Sequence, residues 1–340
     1  MPTTMNMDAI DFTDAKDPFS PESDENNPPD VIVRSSDNVD FHTHKTILSF
    51  GSPVFRDMFA LPEPSGEEAN QMRDGKPVVQ LPETSKTVEK LLILCYPRFA
   101  SSYSFRDLDG VDDAYVAADK YQITGGQKLL KELLIDPRFL QANPHRVYAI
   151  ACHRGIRDVA KAAAVESLKL PAYVPNLAVP EFKMISAHQL RLLEDFHHRC
   201  STDIADRVRA SSAAVTDERV LDEDASVWWS TSNAGHSANC GATVRHLEDP
   251  LGGYLGTIVT PPAWFSQHIE RAEQVLRTRP DTASIPSVIN DLTEPTLKAM
   301  SECPKCIREG YNDLGTLARN TYSHARFMQI KILSKFSFVE

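Results

Sequence analysis

The chain has 340 residues, with 47 acidic against 36 basic side chains, a net charge of −11 and 41% hydrophobic content. That length suggests two domains, or one with a large extension. The acidic balance argues against a strong grip on nucleic acid or anionic membrane. No apolar run approaches the ~18 residues of a membrane span. The start, Met1-Pro2-Thr3-Thr4-Met5-Asn6, has neither the basic end nor the apolar segment of a secretory leader. Six cysteines are too sparse for a disulfide scaffold. The expected class is a soluble intracellular protein, cytoplasmic or nuclear.

Residues 1–30 carry eight acidic residues against Lys16, together with Pro18, Pro21, Pro28 and Pro29. Little apolar surface and high charge cannot offset the entropy of ordering, so residues 1–29 are expected to be a disordered acidic tail. Val31-Ile32-Val33 and the alternating Val39, Phe41 and Thr43 flank a turn at Ser35-Ser36-Asp37-Asn38, which predicts a β-hairpin. Thr46-Ile47-Leu48 predicts a short helix. Ser52-Pro53 then opens a second one, with Val54, Phe55, Met58 and Phe59 as its apolar stripe. Residues 60–77 read as a loop, and Val78-Val79-Gln80-Leu81 as a strand. Three helices follow, carrying Val88/Leu91/Leu92/Cys95, Val111/Tyr115/Ala118/Tyr121 and Leu129/Leu130/Leu133/Leu134. Strands first and helices after give an α+β order.

Asp30-Val31-Ile32-Val33, Asp40-Phe41-x-x-His44-Lys45-x-Ile47-Leu48-Ser49 and Ser52-x-x-Phe55-x-x-Met58-Phe59 resemble a BTB/POZ domain. So do Val79-x-Leu81-Pro82-Glu83 and Ala117-Ala118-Asp119-Lys120-Tyr121 further on. The resemblance spans about 30–135. It implies a three-stranded sheet capped by five helices, and a protein-interaction module of the kind that often self-associates through its first helix. It places Asp40 beside a dimer pocket and His44-Lys45 at the family's His-Lys pair. Ile47, Leu48, Met58 and Phe59 join them as candidates for packing or contact. Longer BTB forms exchange an N-terminal strand and helix between subunits, a region here taken up by the acidic tail.

Residues 136–340 read as a mostly helical extension. Asn143-Pro144 opens one helix and Val159, Ala162, Ala163 and Val165 mark another; this pair resembles the one that follows the BTB domain in many fungal proteins. Leu190, Leu193, His197, Cys200, Ile204 and Val208 form a stripe in which His197 and Cys200 are expected to be core. Residues 210–262, with Trp228-Trp229 and several glycines, lack periodicity and read as long loops. Helices return at Trp264–Leu276, Ile285–Leu292 and Leu314–Ile332. The whole extension resembles that of basidiomycete-type BTB proteins.

Cys303-Pro304-Lys305-Cys306 is a Cys-x-x-Cys knuckle, and two thiolates at this spacing can hold half of a tetrahedral zinc. His236 and Cys240 in the irregular segment would complete a structural site. The rival readings are a redox dithiol, for which the βαβ setting is absent, and unremarkable thiols. The fungal resemblance implies a cysteine pair after the Trp-rich stretch and a second near the end; here the first place holds His-x-x-x-Cys.

No nucleophile elbow, phosphate loop, dinucleotide fingerprint or His-Glu-x-x-His occurs, and no basic helix reads as a DNA reader. The chain is therefore expected to be non-enzymatic: a protein-interaction module that forms a homodimer through the BTB domain. Its sharpest form is a substrate adaptor for a cullin-type ubiquitin ligase, with Leu61-Pro62-Glu63 imitating the hydrophobic-x-Glu element of such adaptors. The alternative is a transcriptional regulator or scaffold without ligase coupling.

Overall fold

The computed structural model describes residues 12–23, 26–61, 72–96, 105–123, 125–171, 179–210, 236–248 and 254–339. Trp228-Trp229, Gly252-Gly253 and the first eleven residues lie outside these. The chain divides into two compact units, Met1–Val159 and Ala160–Glu340.

The first unit is built on a β-branched run. Val31, Ile32 and Val33 are wholly buried in β2 (Val31–Arg34), as befits a strand covered on both faces. β2 pairs antiparallel with β3 (Val39–Thr43) and parallel with β5 (Lys76–Gln80). The Ser35 hydroxyl accepts the Val39 N–H in the connecting turn, where Asn38 takes φ of 61°. The expected three strands are five: β1 (Thr13–Asp14) lies parallel to β3 at one edge, and β4 (Met72–Arg73) antiparallel to β5 at the other. The order is β1-β3-β2-β5-β4.

The acidic leader is thus not a tail throughout. Residues 12–23 lie on the sheet because their charges and one aromatic find partners there. Asp14 meets the His42 imidazole at 2.9 Å and the Arg73 guanidinium. The Phe19 carbonyl accepts the His42 N–H, and the Phe19 ring is buried edge-on to Phe41 and Tyr96.

Helices α1 (Lys45–Gly51), α2 (Pro53–Ala60), α3 (Ser85–Cys95), α4 (Val111–Lys120) and α5 (Gly126–Ile135) cover the sheet. One residue, Ser52, joins α1 to α2: its N–H bonds back to Leu48 and its hydroxyl accepts the Phe55 N–H. A β-carbon on Gly51 would lie 3.1 Å from the Cys95 Cα, so only glycine lets α1 run this close to α3. Asp37, from the hairpin turn, accepts both the N–H and the hydroxyl of Ser85 at the start of α3. The short α6 (Pro137–Leu140) and then α7 (Pro144–His153) and α8 (Arg157–Ser167) follow.

The second unit is mostly helical. Its elements are α9 (Ala187–Ala210), α10 (Ala263–Thr278), α11 (Ile285–Asn290), α12 (Glu294–Ser301) and the long α13 (Pro304–Leu333). The stretch expected to be irregular contains an antiparallel hairpin, β6 (Thr243–Glu248) and β7 (Tyr254–Thr260), with a bulge at Leu247/Glu248. Thr243, Val244, Ile258 and Val259 are good strand formers, but glycines at both ends blurred the alternation. The core gathers Ile204, Val208, Trp264, Phe265, Ile269, Leu276 and Leu314 with three cysteines: Cys240, Cys303 and Cys306. His197 and Cys200 are buried as expected, with His197 Nε2 bonded to the Leu170 carbonyl.

Candidate metal centre and interaction surface

All six cysteines are unpaired thiols, and they fall into two kinds. Cys95, Cys152 and Cys200 are buried singly. Burial pushes their pKa values up, to about 12, 11 and 12, which leaves them inert small hydrophobes. Cys240, Cys303 and Cys306 instead converge with His236, and the four ligand atoms all lie within 4.8 Å of one another.

Local structure brings them there. A turn of 3-10 helix, Ala238–Cys240, lifts Cys240 toward His236, and Gly241, with φ of 77°, turns the chain away. Cys303 stands at the cap of α13, Pro304 starts the helix, and Cys306 follows within its first turn. His236 Nδ1 lies 3.3 Å from Cys240 Sγ, 3.5 Å from Cys303 Sγ and 3.6 Å from Cys306 Sγ. Cys240 and Cys306 sulfurs are 3.5 Å apart. Metal bonds of about 2.3 Å to sulfur and about 2.0–2.1 Å to nitrogen imply tetrahedral edges of roughly 3.8 Å and 3.6 Å. The cluster fits that size. Three thiols and one imidazole form a donor set that can hold a metal.

The electrostatics favour one thiolate. Burial opposes ionisation of Cys303, but the backbone N–H groups of Cys306 and Ser237, then the Cys306 and His236 side chains, bring its pKa down to about 5. The Ser237 N–H donates to the Cys303 sulfur at 3.4 Å. Burial drives Cys306 and Cys240 the other way.

The interaction candidates in the first unit separate into interior and surface. Asp40 is fully buried. Its carboxylate receives Arg34, directly opposite on β2, in two bonds of 2.5 and 2.7 Å, and Arg73 in a third. Leu48 is likewise fully buried. Both lie in the interior of the domain. His44 is half-buried, with its N–H and ring bonded to the Tyr96 hydroxyl. Lys45, Ile47, Met58 and Phe59 are also half-buried. The sequence reading missed the most exposed aromatic of this surface, Phe50 on α1, at 85% exposure. Its place one turn after Ile47 was the available signal. Leu61 is 69% exposed, whereas Pro62 and Glu63 of the adaptor-like element lie outside the described residues.

Elsewhere ion pairs lower the pKa values of carboxylates. Asp112 is held below the usual carboxylate range despite its burial, by Arg154 and His153. Glu273 is brought down to about 2 by Arg209 and Arg277. Among the described residues no helix is long and apolar enough to cross a membrane.

No curated protein matches the chain. The family model of the BTB/POZ domain matches residues 20–137. Its start, ten residues before the expected boundary, falls next to Phe19, where the chain is already packed on the sheet. With the β2–β3 hairpin, the flanking parallel β5 and the covering helices already in place, residues 20–137 are a BTB/POZ domain, a protein-interaction domain followed by a mostly helical C-terminal region.

Proposed function

We propose that this chain is a non-enzymatic interaction protein that self-associates through its BTB/POZ domain and carries a structural zinc in its C-terminal unit. The observation that supports self-association is Phe50. An aromatic ring 85% exposed on α1, one turn from half-buried Ile47, costs about 2 kcal/mol or more of apolar hydration that a second copy would relieve. Zinc is the metal that suits a closed set of three thiolates and one imidazole.

Light scattering on the full chain is expected to give twice the monomer mass, and Phe50→Glu to halve it without changing the circular dichroism spectrum. A wild-type monomer at high micromolar concentration rejects self-association.

A substrate adaptor for a cullin-type ligase is the sharper form of the reading, supported by exposed Leu61. Capture of a purified cullin amino-terminal domain by the full chain, lost in Leu61→Asp, would favour it. No capture favours the scaffold or transcriptional regulator instead. The basidiomycete-type kinship of the helical extension belongs to the same proposal and rests on its residues.

A further inference from the structure

The metal cluster joins two segments that lie far apart in the chain. The ligand-bearing stretch 236–242 has one turn of its own, closed by a Cys240 N–H to Ser237 carbonyl bond. It meets α13 through sulfur, with Ser237 N–H to Cys303, Cys240 to Cys306 and His236 to all three thiols, while Ala242 packs on the core. A neutral thiol is a weak donor and a weak acceptor, so a shared ion would bind these four groups together more firmly than their mutual contacts do. The partner element is weak at the same end. α13 starts without Ser, Thr, Asp or Asn at its cap, and Gly310 and Gly315 fall in its first dozen residues.

Gly310 also has a packing reason. A β-carbon there would lie 3.2 Å from Met300 and 3.4 Å from the Trp264 ring, so the first turns of α13 seat against an indole that itself reaches Cys306. The ligands, the start of α13 and the Trp264 end of α10 therefore form one cluster in the core.

We infer that the metal is the folding staple of the second unit: His236, Cys240, Cys303 and Cys306 bind one ion that orders residues 236–248, residues 254–278 and the first turns of α13. This rests on the zinc reading above. A metal that closes a chain loop of 70 residues adds order only to the state in which both ends are already placed, so its loss is felt at those ends first. The Met1–Val159 unit, with its own core and no ligand in the cluster, is independent of it.

The test is hydrogen exchange by mass spectrometry on the reduced full chain, zinc-loaded and after chelation, with metal counted by elemental analysis. Expected are one zinc per chain and, on its removal, at least tenfold loss of protection in peptides from 236–248, 254–278 and 304–314. Peptides from β2, β3 and α3 stay unchanged, and added zinc restores the rest. His236→Ala, which keeps all three thiols, is expected to bind zinc at least tenfold more weakly and to lose protection in the same peptides. Should zinc leave with no change in exchange, the staple is wrong and the site remains. Equal loss of protection in the first unit also overturns it. No zinc at purification and none on addition rejects the site itself, a separate failure from that of the staple.

Discussion

Asp40 shows how a side chain can be legible in type while its partners are not. Alternation of Val39, Phe41 and Thr43 with Asp40 and His42 predicts one strand of a β-hairpin. The structure buries both faces of β3 and satisfies the polar one with Arg34, Arg73 and Asp14. Nothing local in the sequence says that Arg73, 33 positions on, closes this network. Asp40→Ala would leave the Arg34 guanidinium without its carboxylate and Arg73 with Asp14, and breaking a buried pair of this kind costs roughly 3–5 kcal/mol. Denaturant melts of the first unit measure it. The Asp40 pKa is lowered despite burial, by hydrogen bonds and charge from Arg34 and Arg73. The stability it contributes is therefore present above the ordinary carboxylate range and lost as pH falls through the lower folded value. The wild type should show that acid limb, and Asp40→Ala should have a flatter one.

At the scale of elements, short-range signals were enough wherever a cap or a periodic stripe existed. Ser52-Pro53, Asn143-Pro144 and the stripe of α9 all stand where the spacing predicts. Two kinds of element escaped. β1 is two residues long inside an acidic stretch, and its reason to exist is a set of partners on β3 and β4. The β6–β7 hairpin lies in a glycine-rich run whose pattern is broken by a bulge. The docking of residues 12–23 has a sharp test. Phe19→Ala removes a ring that is 1% exposed between Phe41 and Tyr96, and is expected to cost about 3–5 kcal/mol. An unchanged melting temperature would show that the leader contributes nothing to the domain.

For the whole molecule, sequence order fixed the first unit almost completely, because strand-then-helix order and local motifs coincide there. The second unit depends on residues far apart in the chain. The knuckle at Cys303 and Cys306 is plain from spacing; His236 and Cys240 could be named from the sequence as its complement, but only the fold brings the four ligand atoms within 4.8 Å. Scanning calorimetry of the full chain is expected to resolve two transitions, of which chelation lowers one and leaves the other in place. A single transition that moves as a whole would contradict two independently stabilised units. The 66-position separation of Cys240 and Cys306 also sets a clock. Synthesis proceeds at roughly 5–20 residues per second, so for several seconds a nascent chain holds the first ligand pair and lacks the second. Its BTB/POZ domain is by then wholly made. A chain terminated in that interval would hold the whole BTB/POZ domain and only half of the ligand set.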